Sequence, residues 1–119
     1  MLINLSNHPS DRWGKKQLEL ASRYGEIKDM PFPAVDPRCT SEEIDELVER
    51  CYQQIMAYEN PVIMLQGEFV FTYRLVNRLK AAGLTVVAGC SERKTTEHMD
   101  ESGNITKQSV FDFVCFREY

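Results

Sequence analysis

The sequence predicts an α/β domain with a Rossmann-like three-layer architecture, in which helices cover both faces of a mostly parallel five-stranded sheet. Two observations predict this fold: apolar, strand-like runs alternate with segments of helical periodicity, and the chain ends in a hairpin pattern. Right-handed crossovers then give the strand order 2-1-3-4-5, with an antiparallel C-terminal edge strand. We expect residues 1–119 to form a single domain, because the chain is too short for two cores.

The first half of the chain contains two predicted strands and two predicted helices. Met1–Leu5 is strand-like, and a helix is expected from Ser10, a favourable N-cap, through Tyr24. Glu26–Phe32 is a weaker strand that ends in prolines. Thr40 and Glu43 form a capping box for the clearest helix of the chain, whose apolar residues recur at helical spacing.

The second half predicts a buried strand, a helix and a terminal hairpin. Val62–Leu65 is a continuous apolar run, which is typical of a strand covered on both faces, and the next helix ends at Ala82. Leu84–Gly89 is the fourth strand. Polar alternation then begins at Ser91, and a turn over Glu101–Asn104 leads into the final strand, which predicts a β-hairpin.

Composition excludes several classes of protein. The net charge of −4 argues against binding to duplex nucleic acid, which relies on many basic side chains that neutralise phosphates. No run of apolar residues is long enough for a membrane span and no signal peptide is recognisable, so we expect a cytoplasmic protein without membrane contact. The four cysteines lack metal-site spacing and only two histidines are present, so neither a metal nor another cofactor is expected.

Three polar segments follow the first, third and fourth predicted strands, where ligands bind in open parallel sheets. They contain, in chain order, Asn7, His8 and Ser10; Gln66, Gly67 and Glu68; and Ser91, Arg93 and Lys94. Two of these segments lead into helix N-termini, whose free N–H groups favour anions. Gly67 would let a ligand approach the backbone, and the planar guanidinium of Arg93 suits phosphate or carboxylate. Together these residues predict an anion site.

Each residue also has a structural explanation. Ser10 could serve simply as a helix cap, and Glu68 simply as a first-turn carboxylate that suits the helix dipole. Arg93 could be an exposed residue of the hairpin. The sequence contains no P-loop, G-x-S-x-G or H-E-x-x-H motif, so it leaves the reaction open.

The order of elements and the segments S-N-H-P-S, Q-G-E and S-E-R resemble the small CRISPR-associated Rossmann-like (CARF-like) proteins, which include ring nucleases and cyclic-oligoadenylate-binding domains. The resemblance implies a homodimer that holds a cyclic oligoadenylate across its two-fold axis and cleaves it without metal. It implies in-line attack by a ribose 2′-hydroxyl, with proton transfer by His8 and phosphate contacts from Ser91 and Arg93. The ligand-binding residues that remain are Asn7, Ser10, Gln66, Gly67, Glu68 and Lys94.

Two alternatives stay open at this point. A module of the same fold could sense or sequester a nucleotide without turnover, and Glu68 could act as a nucleophile on a nucleoside. We further expect the surface shared by the two subunits to lie beside the strand ends. The Arg93 guanidinium is expected to point into the cleft beside His8, Ser10 and Gln66.

Overall fold

All predicted strands and helices are present in the computed structural model, which describes residues 1–119. The strands are β1 (Leu2–Ser6), β2 (Ile27–Pro31), β3 (Val62–Leu65), β4 (Val86–Met99) and β5 (Ile105–Glu118). The helices are α1 (Lys15–Ser22), α2 (Ser41–Met56) and α3 (Phe69–Ala81), and a short 3-10 turn, Ser10–Arg12, precedes α1.

The five strands form one sheet in the predicted order, β2-β1-β3-β4-β5. β1 lies at the centre of the parallel part and pairs with both β2 and β3, and β3 pairs in parallel with β4. Only β5 runs antiparallel to its neighbour. The predicted fold class and strand order are therefore confirmed, and the carboxyl ends of β1 and β3 meet at one edge of the sheet.

Helices cover both faces of the sheet, and each face has its own apolar cluster. The larger cluster combines β1, β3, α2 and α3, and α2 begins with the predicted capping box between Thr40 and Glu43. The smaller cluster lies under α1 and consists of Leu2, Trp13, Ala21, Met64 and Val87. None of the three helices is both long and apolar enough to cross a membrane.

The first helix begins later than predicted, so the expected start at Ser10 is wrong. Trp13 has extended backbone angles (φ −73°, ψ 145°), which interrupt any helix from Ser10, and Gly14 is the N-cap of α1. Ser10 has a different partner, because its hydroxyl and its amide both donate hydrogen bonds to the Asp29 carboxylate. The helix therefore opens on Lys15 and Lys16.

The fourth strand was expected to end at Gly89, but β4 continues to Met99. β3 pairs with β4 only as far as Val87. Beyond that point the Gln66 side chain replaces the backbone hydrogen bonds between the two strands. The Gly89 amide donates to Gln66 Oε1 at 2.9 Å, and Gln66 Nε2 donates to the Gly89 carbonyl at 3.2 Å. Past Gly89, β4 has only β5 as a neighbour. We call this projecting part, Ser91–Met99 with Ile105–Phe113, the hairpin arm.

Candidate functional site

A cleft of about 760 Å³ lies at the carboxyl ends of β1 and β3, beside the middle of β4. One wall is the segment from His8 to the first turn of α1, and the opposite wall is the base of the hairpin arm. Met64, Gln66 and Gly89 form the floor between these walls. The volume is within the range of small-molecule sites in proteins.

A buried polar network holds the His8 backbone at the edge of the cleft. Asn4 is only 1% exposed, and its Nδ2 donates to the His8 carbonyl at 2.9 Å and to Asp29 Oδ1 at 2.8 Å. The Trp13 indole donates to the same His8 carbonyl at 3.0 Å. Ser6 Oγ donates to Asn4 Oδ1 and accepts from the His8 amide. These bonds fix the loop where it leaves β1.

The Asp29 carboxylate connects this loop to β2. Partial burial raises the pKa of this carboxyl, but hydrogen bonds from the Asn4 side chain and from the Ser10 hydroxyl and amide outweigh that effect. The pKa of Asp29 therefore lies below its ordinary value. Asp29 and Asn4 escaped sequence-based detection because they are strand residues, and only the parallel register of β1 and β2 brings them side by side.

The lowered pKa of Asp29 predicts a loss of stability in acid. Because the folded-state pKa is below the unfolded-state value, the carboxylate stabilises the fold fully above about pH 4 and loses this effect as the pH falls through the folded-state pKa. We expect thermal unfolding temperatures to fall more between pH 7 and pH 3 in the parent protein than in Asp29→Asn. Asp11→Asn, a nearby exposed carboxylate, is the control and should behave like the parent. An identical fall in all three proteins would contradict this account.

The structure brings four of the predicted site residues to the cleft and leaves five outside its lining. His8, Gln66, Ser91 and Lys94 line it. The residues outside the lining are Asn7, Ser10, Gly67, Glu68 and Arg93. The Gln66 amide is already occupied by the Gly89 backbone, so it shapes the floor of the cleft.

Ser10 and Glu68 have structural partners. The Ser10 hydroxyl donates to Asp29 Oδ2 at 2.9 Å. Glu68 is the N-cap of α3, where its two carboxylate oxygens accept from the amides of Val70 and Phe71 at 3.1 and 2.7 Å. With both oxygens engaged in capping, Glu68 is poorly placed to act as a nucleophile.

Arg93 does not point into the cleft beside His8, Ser10 and Gln66, and that expectation is corrected here. Its guanidinium donates to Ser109 Oγ at 3.1 and 3.3 Å, farther along the hairpin arm. The reason is the length of β4: Arg93 is a mid-strand residue of the arm, whereas the prediction placed it in a loop at the end of the sheet.

Packing against the Phe32 ring requires a residue without a side chain at Gly67. A Cβ atom at this position would lie 2.2 Å from the Phe32 ring, which packs edge-on against Phe71 with centroids 5.3 Å apart. We expect Gly67→Ala to lower the free energy of unfolding by about 1–3 kcal/mol, the usual effect of overpacking. Chemical denaturation of Gly67→Ala in the parent and in a Phe32→Leu background tests the cause. The Gly67→Ala effect should shrink in that background, and an equal loss in both would rule out the Phe32 contact as its origin.

The cations that line the cleft come mainly from a segment that sequence reasoning did not assign to the site. Arg12, Lys15 and Lys16 line one wall, and Lys94 lines the other. Lys94 forms an ion pair with Asp112 at 3.0 Å, and that hydrogen bond raises the pKa of Lys94. Lys15 pairs weakly with Glu19, while Arg12 and Lys16 take part in no ion pair. The dipeptide Lys15-Lys16 after Gly14 was the available signal, hidden by the early predicted helix start.

The first turn of α1 adds to this positive potential. Gly14 provides no side-chain cap, and the turn contains no acidic residue. The first amide bonded along the helix is that of Leu18, which donates to the Gly14 carbonyl, so the amides of Lys15, Lys16 and Gln17 lack intrahelical acceptors. Lysines at a helix N-terminus oppose the helix dipole. A local cost of this kind is typical of a functional site.

Comparison with known proteins places almost the whole chain in one family. The model of the Uncharacterized protein MJ1673 family matches residues 1–117. The chain belongs to this family. No curated protein matches the sequence. The match to the MJ1673 family includes β1, α1, the floor of the cleft and the hairpin arm, so the whole candidate site lies inside the matched region.

The chemistry of the cleft in this member of the MJ1673 family is that of charged and hydroxyl groups. His8 and Ser91 are the potential proton-transfer and hydroxyl groups, and Glu92 and Asp112 lie on the arm side, opposite the cations of α1. No group of three or more His, Cys, Asp or Glu side chains is arranged to hold a metal ion. The arrangement can bind an anion at the start of α1, with His8 on the same wall of the cleft.

Proposed function

We propose that this protein is a CRISPR-associated ring nuclease-like enzyme of the cytoplasm, which binds a cyclic oligoadenylate in the cleft and cleaves it without metal. The observation that supports the proposal best is the uncapped start of α1, with its free amides and the unpaired cations Arg12 and Lys16 facing the cleft. Free helix amides and cationic side chains are the groups that bind phosphate. His8 lines the same wall of the cleft.

The proposed reaction is attack by a ribose 2′-hydroxyl on the neighbouring phosphorus. The 2′-hydroxyl gives its proton to His8 as the new P–O2′ bond forms. The P–O5′ bond breaks on the opposite side, the departing 5′-oxygen takes up a proton from water, and His8 returns its proton to water. The products are a 2′,3′-cyclic phosphate and a free 5′-hydroxyl, so no external nucleophile is consumed. The protein contributes alignment and charge stabilisation, with the α1 amides and Ser91 bound to the phosphate oxygens.

A second candidate is a module that senses or sequesters the nucleotide without turnover. The hydrogen bonds of His8 are made by its backbone, and no side chain of this subunit orients its imidazole. A general base is usually oriented by a further group, so this feature favours binding alone. The two candidates share the cleft and differ only in the role of His8.

We further propose that the protein acts as a two-fold homodimer whose shared surface lies beside the strand ends. A cleft of about 760 Å³ in one subunit offers limited space for a large cyclic ligand, and an isologous contact would double it for a ligand with internal symmetry.

Incubation of the purified protein with cyclic oligoadenylates in the presence of a chelator, followed by mass spectrometry, tests the proposal. We expect linear products that end in a 2′,3′-cyclic phosphate. His8→Asn should slow their formation by about 10²–10⁴-fold, the contribution of general acid–base catalysis. The matched control is His98→Asn, which changes the other histidine, on the exposed arm, and should retain the parent rate. Binding without products supports the second candidate, and neither binding nor products overturns both.

A further inference from the structure

The hairpin arm is a two-stranded ribbon that its own subunit leaves uncovered. Every residue from Ser91 to Asp112 is exposed. β3 pairs with β4 no farther than Val87, and β5 is the outer strand of the sheet, so both long edges of the arm have unpaired backbone groups. An isolated two-stranded hairpin is at best marginally stable in water. A ribbon about 30 Å long is therefore expected to need a partner for its stability.

The two faces of the arm differ in composition. Side chains alternate between faces along each strand, and the β4–β5 register shows which ones share a face. One face, here named the apolar face, carries Ser91, Arg93, Thr95, Glu97 and Met99 from β4, and Ile105, Lys107, Ser109, Phe111 and Phe113 from β5. The opposite face carries Glu92, Lys94, Thr96, His98, Thr106, Gln108, Val110 and Asp112.

Side-chain contacts agree with this division. Arg93 binds Ser109, and Lys107 pairs with Glu97 at 3.7 Å, all on the apolar face. The three most exposed apolar side chains of the arm are on this face as well: Met99 (72%), Phe111 (70%) and Ile105 (62%). The opposite face has only Val110. Large exposed apolar groups concentrated on one face are typical of an interaction surface.

The apolar face is complementary to itself about the cross-strand pair Thr95–Ser109. Two residues from Thr95 toward the base of the arm lies a cation, Arg93, and two residues toward the tip lies an anion, Glu97. On β5, Phe113 is four residues from Ser109 toward the base and Ile105 is four residues toward the tip. A two-fold rotation about an axis along the line from Thr95 to Ser109 exchanges the position of Arg93 with that of Glu97. The same rotation exchanges the position of Phe113 with that of Ile105.

We propose that a second copy of this chain packs its arm against this one, apolar face to apolar face and antiparallel, about that two-fold axis. Arg93 then faces Glu97 of the partner subunit, and Ile105 faces the partner's Phe113. Phe111 receives the partner's Lys107 over its ring, a favourable cation–π contact. The small residues Thr95 and Ser109 meet their own copies at the axis, where close approach of the two ribbons requires small side chains.

This arrangement also bears on the cleft, although dimerisation through the arm requires no ligand there. Phe111 lines the cleft, so the partner's Lys107 comes to its rim and adds a cation from the second subunit. The arm of each subunit would thus extend the arm-side wall of the other subunit's cleft.

Adjacent threonines on opposite faces give a matched pair for the test. Thr95→Arg places two cations at the axis, whereas Thr96→Arg makes the same change on the opposite face of the same strand. By analytical ultracentrifugation without nucleotide, we expect the parent and Thr96→Arg to be dimers. Thr95→Arg should raise the dimer dissociation constant at least about tenfold, which corresponds to about 1.4 kcal/mol. Both positions are exposed, and circular dichroism checks that both variants fold.

A charge exchange tests the predicted contact between Arg93 and Glu97 of the partner subunit. Arg93→Glu should weaken the dimer by placing carboxylates against each other, and Arg93→Glu combined with Glu97→Arg should restore association. A monomeric parent at high micromolar concentration would overturn the proposal. So would equal effects of the two threonine substitutions, or a double variant no better associated than Arg93→Glu. Because the assay contains no nucleotide, its outcome is separate from that of the cleavage experiment.

Discussion

Replacement of Trp13 by alanine is expected to lower the free energy of unfolding by about 3–5 kcal/mol, the range for large aromatic residues in cores. Trp13 is 8% exposed in the apolar cluster under α1, and its ring lies 6.4 Å from that of Phe116. It also donates a hydrogen bond to the His8 carbonyl. The change therefore removes core packing and one of the bonds that fix the loop at the cleft. Urea denaturation of the parent and the variant measures the effect.

Trp13→Phe separates these two contributions. Phenylalanine retains much of the apolar contact but cannot donate to His8, so its loss of stability should be clearly smaller than that of alanine. The His8 loop should nevertheless become more mobile, which faster amide hydrogen exchange at His8 would reveal. An alanine variant as stable as the parent, or an unchanged exchange rate in Trp13→Phe, would contradict the role assigned to Trp13.

Reversal of both unpaired cations, Arg12→Glu with Lys16→Glu, is expected to weaken binding of a cyclic oligoadenylate at least about 100-fold. Hydrogen bonds to charged groups contribute about 1.5–3 kcal/mol each, and about 1.4 kcal/mol changes a dissociation constant tenfold. The reversal also places two negative charges in front of the α1 amides, where a phosphate would bind. Isothermal titration calorimetry at fixed salt concentration measures the change, because binding to phosphates depends on ionic strength.

The single reversal Lys16→Glu has a matched control in Arg23→Glu, because each of these variants changes the net charge by the same amount. Arg23 is exposed at the other end of α1, so its reversal changes the net charge of the same helix without altering the cleft. We expect Arg23→Glu to bind within a few-fold of the parent. Equal losses in the two variants would mean that overall charge, and not the cleft, governs binding.

The fold was predictable because its signals are local. The unbroken apolar run Val62–Leu65, the capping box of α2 and the terminal hairpin pattern each depend on neighbouring residues, and the parallel order follows from the handedness of crossovers. The start of α1 was not predictable in the same way. Ser10 is a good N-cap by propensity, but Asp29, nineteen residues away, takes both of its donors.

The position of the candidate site was predictable from the sequence, but only some of the residues that line it were. The rule that ligands bind at the carboxyl ends of parallel strands leads to the edge of the sheet where the cleft lies, and His8, Gln66, Ser91 and Lys94 line this cleft. Arg93 was misplaced because the site prediction treated Ser91–Lys94 as a loop at the strand end, although the polar alternation from Ser91 already indicated the hairpin in which Arg93 lies. The cations of α1 were missed because their position depends on where that helix begins.

The most direct test of the central claim, that the cleft binds phosphate at the start of α1, is a nuclear magnetic resonance titration of the backbone amides. The probes are a cyclic oligoadenylate and, as a control that lacks phosphate, adenosine. We predict that the oligoadenylate shifts the amide signals of Lys15, Lys16 and Gln17 most strongly, with smaller shifts at Gly89 and Ser91, and that adenosine leaves the α1 amides in place. An absence of shifts with the oligoadenylate, or shifts confined to surfaces away from the cleft, would contradict the account.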